Sequence, residues 1–314
     1  MDELKKRKYL KSLLRNMKES SSLKEETISR ETELAKTDMN IRAILETLYL
    51  DPNREASFER FFNSMEFKVL FEEITRHAKY DWNIKICEVG AGPGFLAVAL
   101  AKAGFRNINI LEPNQDWITG TGFITDYAEK YGVTIWNNLD SWYESDELYD
   151  LIITKACVHH FDNVCKSCAE IRWKIQDHGK FLMFDEYFAN TTEDLYSALM
   201  NHPHVLRYGQ YEWPYSASLY VELMDLAGYS LREIIPARYK HNYIARNISG
   251  KKTRFSAIVT SMTKILIFLK LTVFAFRIEK FIDRCFNVHV KLRLFTRPQL
   301  FVFKPKTTDI PDIP

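Results

Sequence analysis

Three glycines alternate within one short segment of the sequence, at Gly90, Gly92 and Gly94. A strand-like run, residues 86–89, comes directly before them, and an apolar stretch of helical character begins at Phe95. A glycine turn between a strand and a helix lets the backbone approach a ligand closely, at a helix N-terminus whose N–H groups can bind it. Such turns also occur without a ligand, but three alternating glycines favour a binding turn.

The spacing of the glycines bears on the kind of ligand. The dinucleotide fingerprint needs glycine or alanine at position 95, where this chain has Phe95. Two acids accompany the turn instead: Glu88 lies two residues before the first glycine, and Glu112 closes the next apolar run. A carboxylate at the end of that second strand can accept hydrogen bonds from both hydroxyls of a ribose. A nicotinamide cofactor is therefore disfavoured.

Residues 88–94 match the pattern E/D-x-G-x-G-x-G, and Glu112 matches an acid that closes strand two. On these residues the chain resembles the class I S-adenosylmethionine-dependent methyltransferases, of the type 11/12-like kind. Residues 150–161 and 179–186 are similar to strands four and five of that family. The resemblance covers about residues 55–236 and a last strand near 300–304. It implies a Rossmann-like fold, S-adenosyl-L-methionine as cofactor, and an enzyme that transfers methyl groups.

The resemblance also implies a set of cofactor-binding residues. Asn138 falls where the family has a polar residue that meets the adenine amino group, most often aspartate. An asparagine can still bond the adenine edge. The expected cofactor-binding residues are Glu88, Gly90, Ala91, Gly92, Gly94, Glu112, Asn138, Leu139 and Lys155.

The mechanism that the resemblance implies is a direct in-line displacement at the sulfonium methyl group, so the protein's main task is alignment. A base is needed only where the attacking atom holds a proton. His160 and Glu186 are the candidates, because they follow strands four and five and ligands bind at the carboxyl ends of such strands. Both histidines of the pair His159 and His160 could instead be structural, and Glu186 and Asp185 could bond backbone atoms at the next helix start.

The predicted elements alternate between strands and helices after residue 77. This alternation predicts an α/β fold: a seven-stranded, mostly parallel sheet with flanking helices, an N-terminal helical extension and a helical insertion before the last strand. An amphipathic helix is predicted over 54–77. The predicted strands are 85–89, 107–111, 133–136, 151–154, 180–185, 230–236 and 300–303. The predicted helices that follow are 95–103, 117–130, 164–176 and 217–227.

Charge is distributed unevenly along the chain, although the formal net charge is only +2. Residues 236–306 hold sixteen lysines and arginines against two acids. We expect an N-terminal extension and linker over 1–53, a methyltransferase core over 54–239, a basic, apolar insertion over 240–298, and the last strand and tail over 299–314. The insertion could be a helical subdomain with a solvated basic face, an element that contacts anionic lipid or cradles an amphiphilic acceptor, or a nucleic-acid contact.

Membrane and metal signals are weak. The run 258–278 is long enough to span a bilayer, but Lys264 and Lys270 lie inside it, which disfavours a spanning helix. The pair Cys165 and Cys168 has no second paired cluster, so no metal site is expected. Five cysteines make no disulfide framework, and no secretory signal is visible. We expect a cytoplasmic protein that could contact the inner membrane surface peripherally.

Three functions remain open from the sequence. The first is transfer of a methyl group from S-adenosyl-L-methionine to an oxygen or nitrogen of a small or amphiphilic molecule. The second is methylation of RNA or protein through the basic C-terminal region, although no nucleic-acid-binding signature accompanies it and nucleic acid is disfavoured as a partner. The third is a module that binds the cofactor without catalysis, which the intact residues 88–94 and Glu112 argue against.

Overall fold

A computed structural model describes residues 33–34, 36–39, 51–201, 213–236, 254–286 and 298–306. The chain divides into two compact units: residues 1–146 with 189–214 form the first, and residues 147–188 with 215–314 form the second. The predicted N-terminal helical extension lies almost wholly outside the described residues. The boundaries predicted at 53, 239 and 298 stay predictions, because residues 40–50, 237–253 and 287–297 are also outside them.

Seven strands and ten helices are defined within the part of the chain described from residue 51 onward. The strands are β1 (Lys85–Val89), β2 (Asn107–Leu111), β3 (Thr134–Trp136), β4 (Tyr149–Lys155), β5 (Ile175–Phe184), β6 (Tyr229–Pro236) and β7 (Pro298–Pro305). The helices are α1 (Arg54–Phe62), α2 (Met65–His77), α3 (Phe95–Lys102), α4 (Thr125–Tyr131), α5 (Leu139–Glu144), α6 (Val164–Arg172), α7 (Thr192–Asn201), α8 (Ala217–Leu226), α9 (Arg254–Phe268) and α10 (Thr272–Phe286). A single 3₁₀ turn, Val158–His160, follows β4.

The strands form a mixed sheet, in which β1, β2 and β3 are parallel to one another and β4 is parallel to β5. In the first unit, β1 pairs in parallel with β2, and β2 with β3. In the second unit, β4 pairs in parallel with β5, whereas β7 pairs antiparallel with both β5 and β6. The strand order is β3-β2-β1-β4-β5-β7-β6. The predicted seven-stranded, mostly parallel α/β fold is confirmed.

The strand at the centre of the second unit is the most buried. The six residues from Pro298 to Phe303 in β7 are all buried, and so are the last four residues of β5. Successive side chains of a strand point to opposite faces, so both faces of β7 are buried, which explains the continuous apolar run from Leu300 to Phe303.

The predicted amphipathic helix over 54–77 is two helices in the structure. α1 ends at Phe62, and the hydroxyl of Ser64 accepts a hydrogen bond from the Phe67 amide at 3.0 Å to cap α2. The same hydroxyl donates to the Phe61 carbonyl at 2.7 Å. Serine side chains often bond backbone groups at helix ends, so Ser64 interrupts the helix. The helical spacing of the apolar residues nevertheless continues from α1 into α2.

Two other predicted helix bounds are wrong. The helix predicted over 117–130 begins only at Thr125, because the Asp116 carboxylate accepts hydrogen bonds from the Ile118 and Thr119 amides and stabilises a non-helical turn. The helix predicted over 164–176 ends at Arg172, and β5 already begins at Ile175 rather than at 180.

The helical insertion before the last strand is confirmed. β6 ends at Pro236 and β7 begins at Pro298, and both α9 and α10 lie between them. The apolar run 258–278 is interrupted after Phe268, where Lys270 adopts a left-handed φ of 59°. No helix among the described residues is both long enough and apolar enough to cross a membrane.

Candidate functional site

The turn after β1 has the backbone geometry for which glycine is needed. Gly90, Gly92 and Gly94 have φ angles of 65°, 53° and 69°, all in the left-handed region that side chains disfavour. At Gly94 a Cβ atom would also lie 3.0 Å from Cγ2 of Ile124. The Gly90 amide donates to the Leu111 carbonyl at 2.9 Å, which joins the turn to the end of β2. Ala91 lies within the same turn, and its carbonyl accepts from the Gly94 amide at 3.0 Å.

Glu88 holds the helix that follows this turn. Its side chain is buried at the end of β1, and Oε2 accepts a hydrogen bond from the Ala97 amide at 2.8 Å. Gly94 is the N-cap residue of α3 and has no side chain to cap it. A carboxylate on a first-turn amide replaces that cap and complements the positive end of the helix dipole. The structure therefore gives Glu88 a positioning contact, while its predicted contact with the cofactor remains a prediction.

Glu112 connects the two turns that end β1 and β2. Its Oε2 accepts from the Gly92 amide at 2.7 Å, and its Oε1 accepts from the Asn114 amide at 2.9 Å. An ionised carboxylate has about four lone-pair sites, and these two amides use two of them. The geometry therefore fits the predicted role, because a carboxylate fixed in this way can still accept hydrogen bonds from two ribose hydroxyls.

Burial raises the pKa of Glu112 above its ordinary value of 4.5, and the hydrogen bonds from the Asn114 and Gly92 amides oppose that rise. The cost of burying the charge is the larger effect. A group that donates hydrogen bonds to the ionised form would lower this pKa again. Binding of a ribose and ionisation of Glu112 are therefore expected to favour each other.

Residues 113–124 form an ordered loop that the sequence interpretation missed. A Cβ atom at Gly120 would lie 2.3 Å from the Asn114 carbonyl oxygen, so the loop closes on itself too tightly for any side chain there. Asn137 was also missed: its Nδ2 donates to the Glu112 carbonyl at 2.9 Å and to the Thr121 hydroxyl at 3.2 Å. Its place directly after β3 was the available signal.

Asn138 and Leu139 lie at the start of α5 on the protein surface. The Asn138 Oδ1 accepts from the Ser141 amide at 2.9 Å and from the Ser141 hydroxyl at 3.2 Å, so it caps the helix. Leu139 is exposed. The predicted contact of these two residues with adenine stays a prediction, and in this structure the acceptor atom of Asn138 already has two donors.

In the second unit, the buried Glu186 organises the turn after β4. Its Oε1 accepts from the amides of Cys157 at 3.1 Å and Val158 at 2.9 Å. Its Oε2 lies 2.8 Å from Nδ1 of His159 and 3.3 Å from the amide of that residue. The side chain therefore bonds backbone atoms, as the alternative interpretation allowed, but those atoms belong to the turn after β4 rather than to the next helix. Four donors occupy the capacity of this carboxylate.

His160 ends the 3₁₀ turn that Glu186 holds. Its side chain is half-buried, and its ring centroid lies 4.2 Å from that of His159. Lys155 is the last residue of β4 and is also half-buried. The turn is tight: Ala156 has a φ of 47°, and the His160 amide donates to the Cys157 carbonyl at 2.9 Å.

The cysteine pair Cys165 and Cys168 lies on α6, and burial raises the pKa of Cys168 well above its ordinary value. Within the described ranges, no three histidine, cysteine or acidic side chains converge so that they could hold a metal ion.

The sheet order and the glycine turn define the class I methyltransferase fold. Curated proteins that are similar to the chain are named ubiquinone biosynthesis O-methyltransferases. The protein of Rickettsia felis is 31% identical over 120 residues, which are 37% of this chain and 47% of that protein. The protein of Rickettsia canadensis is 32% identical over 120 residues, or 37% and 49%. The predicted resemblance to methyltransferases is confirmed by these names.

The chain spans about half the length of the curated relatives that it matches. No family model matches the chain. Among solved structures, a methyltransferase from Thiobacillus denitrificans in complex with S-adenosyl-L-homocysteine is 12% identical with a TM-score of 0.45. That match covers 77% of this chain and 92% of the other. A similarity at this level is too distant to indicate a substrate.

We expect Gly92→Val to abolish binding of S-adenosylhomocysteine, because the side chain would fill the turn where a ligand approaches the backbone. Gly132→Val is the matched control: Gly132 has a φ of 69°, and a Cβ there meets nothing within 4 Å. Both substitutions should lower the free energy of unfolding by about 1–3 kcal/mol. Isothermal titration calorimetry should show lost binding for Gly92→Val alone. Retained binding would mean that the turn is not the site.

We expect affinity for S-adenosylhomocysteine to fall as the pH falls through the raised pKa of Glu112, because only the carboxylate accepts from both ribose hydroxyls. Glu112→Gln should weaken binding at neutral pH about tenfold to a hundredfold, since hydrogen bonds to a charged group contribute about 1.5–3 kcal/mol. It should also remove this part of the pH dependence. Calorimetry across the pH range measures both effects.

The free energy of unfolding should change with pH in the direction opposite to the binding affinity. Because the folded pKa is raised, the contribution of Glu112 to stability is fully present below its unfolded pKa and is lost as the pH rises through the folded value.

Glu129→Gln, at an exposed position, is the control for the binding experiment and should leave the pH dependence of binding unchanged. An unchanged pH profile in Glu112→Gln would contradict the assigned role.

Proposed function

We propose that this protein transfers a methyl group from S-adenosyl-L-methionine to a hydroxyl oxygen of a small or amphiphilic molecule. The observation that carries the proposal is the Glu112 carboxylate, which is fixed by the Gly92 and Asn114 amides at the ends of two parallel strands. It lies beside a turn with three glycines in left-handed conformations. A carboxylate held in place by two amides, next to a glycine turn without side chains, suits a ribose with a charged, flexible substituent.

Residues of the first unit would hold the cofactor. Glu112 would accept from the ribose hydroxyls, and the turn from Gly90 to Gly94 would let the remainder of the cofactor approach the backbone. When bound, the cofactor would supply an electrophilic methyl group for transfer to the acceptor oxygen. The chain contributes binding, orientation and a destination for the hydroxyl proton.

His160, and not Glu186, is the proposed proton acceptor. Glu186 is buried and already accepts from three backbone amides and from the His159 ring, so it has little capacity left for a substrate proton. His160 is half-buried at the end of the turn that these bonds fix. We therefore assign Glu186 and His159 as positioning residues for the turn that presents His160.

Oxygen is the proposed attacking atom because the curated relatives are named O-methyltransferases of ubiquinone biosynthesis. An alcohol or phenol must lose a proton, so this choice also gives His160 a function. The sequence disfavours one class of nitrogen acceptor, the amino groups of nucleic-acid bases. Residues 155–158 read Lys-Ala-Cys-Val where enzymes that methylate planar amide nitrogens carry an N-P-P-Y-type tetrad.

The acceptor can be found by labelling. The purified full chain is incubated with methyl-labelled S-adenosylmethionine and a cell extract, and organic, small aqueous and macromolecular fractions are separated. Label in the organic or the small aqueous fraction is the expected result. Identification of a methoxy group in the labelled product by NMR would establish that oxygen was the attacking atom. Label confined to RNA or protein would contradict the proposed acceptor class. Binding of S-adenosylhomocysteine without any transfer would support the binding module instead.

We expect His160→Asn to lower kcat about a hundredfold or more, since proton transfer by a positioned side chain contributes about that much. Its melting temperature should stay close to that of the parent protein. A general base also makes kcat rise with pH, and in this variant that rise should disappear. Glu186→Gln should lower both the melting temperature and kcat, because one carboxylate oxygen that accepts from buried donors is replaced by a donor.

The control is His178→Asn, which removes an exposed histidine that bonds Asp150 at 2.7 Å. It should leave kcat unchanged. If His160→Asn keeps the parent pH profile, the base assignment is wrong, whatever the effect of Glu186→Gln.

A further inference from the structure

Helices α9 and α10 form a hairpin whose outward side is apolar. On α9 the exposed side chains Ile258, Met262 and Ile265 follow one another at helical spacing. On α10 Phe274 and Phe281 are exposed two turns apart on one face. Single exposed apolar residues are ordinary, but a series of large ones along two adjacent helices is not.

The connection between the two helices is the most exposed apolar part of the hairpin. Phe268, Leu269 and Leu271 are all exposed, and Phe268 exposes 85% of its surface. Lys270 lies among them in a left-handed conformation that turns the chain from one helix into the next. This segment, Phe268 to Leu271, is the hairpin tip.

The opposite side of the hairpin is already used for packing. α10 packs on β6 and α9 packs on α10. The buried side chains follow the inward spacing: Val259 and Thr263 on α9, then Ala275, Phe276 and Glu279 on α10. The outward apolar side chains are therefore not residues of a core that these helices would complete among themselves.

The exposed charges between residues 257 and 282 of the hairpin are all positive. Lys264, Lys270 and Arg277 are exposed, whereas Glu279 is buried. Among residues 257–282, whose side chains the structure describes, no acidic side chain is exposed. The sequence from 236 to 306 carries the same bias, with sixteen basic residues and two acidic ones.

We propose that the α9–α10 hairpin docks on an anionic lipid bilayer, with the apolar side chains of the hairpin tip inserted among the acyl chains and the basic side chains at the lipid phosphates. Apolar and cationic side chains on one surface are the combination that interfacial helices use. A second copy of the chain fits less well, because two such surfaces would bring like charges together. A nucleic acid would use the charges but leave the apolar tip in water.

This inference is independent of the methyl transfer proposed above. The test uses the full chain and vesicles of phosphatidylcholine, alone or mixed with phosphatidylglycerol, with binding measured by flotation. We expect the protein to float with the anionic vesicles and not with the neutral ones, and added salt should weaken binding. Equal flotation with both vesicle types, or with neither, would overturn the proposal.

Two variants separate the contributions of the tip and of the charges. Phe268→Ser with Leu271→Ser should reduce binding about tenfold for each side chain removed. Lys264→Gln, Lys270→Gln and Arg277→Gln together should reduce it about fivefold for each charge. Both variants should bind S-adenosylhomocysteine as the parent chain does, so failure of docking and failure of the methyltransferase assignment remain distinguishable.

The matched controls lie elsewhere on the surface. Leu226→Ser removes a side chain that is 75% exposed at the end of α8. The charge control is the triple substitution of exposed lysines in the first unit, Lys68→Gln, Lys79→Gln and Lys130→Gln. Neither control should change flotation. Equal loss in a control and its partner variant would overturn the proposal, and so would a dimer in solution that the tip variant converts to a monomer.

Discussion

One carboxylate joins the turns that follow β1 and β2. Glu112 follows β2, yet it accepts from the amide of Gly92, in the turn after β1, and from Asn114 in its own loop. The left-handed glycines leave their amides without regular helix or strand partners, so a turn of this kind needs an acceptor from outside. Burial makes the charge costly, and the two amides offset part of that cost. The carboxylate of the candidate site is therefore also the group that holds the two turns together.

The second unit solves a similar problem with Glu186. There the carboxylate accepts hydrogen bonds from the amides of Cys157, Val158 and His159 in the turn after β4. The same side chain orients the His159 ring. Acids at the ends of buried strands thus have two possible uses, as chemical groups or as anchors for backbone turns. The number of hydrogen-bond donors around the carboxylate distinguishes these two uses: Glu112 has two and Glu186 has four. That number depends on the folded structure and cannot be read from the sequence.

Much of the fold was predictable because apolar runs are bounded by polar turns: β1 and β2 begin and end where the sequence places them. The wrong bounds have local causes. Ser64 and the carboxylate of Asp116 compete for backbone amides and interrupt patterns whose apolar spacing continues. The predicted cofactor-binding turn could be found in the sequence because its residues are contiguous. The partners of Glu186 lie 27 to 29 positions away in the sequence, so no spacing rule connects them to it.

The position of β7 has a consequence for the order in which the protein is made and folds. β6 pairs with β7 alone, and β5 needs β7 to cover its second edge. The segment of about sixty residues between β6 and β7, which includes the α9–α10 hairpin, delays the synthesis of β7. During that time β5 has an open, apolar edge and β6 has no neighbour in the sheet. Open edges of this kind recruit other strands. Pairing of β7 therefore completes the sheet. Nascent chains that end before β7 are expected to aggregate more readily than the full chain.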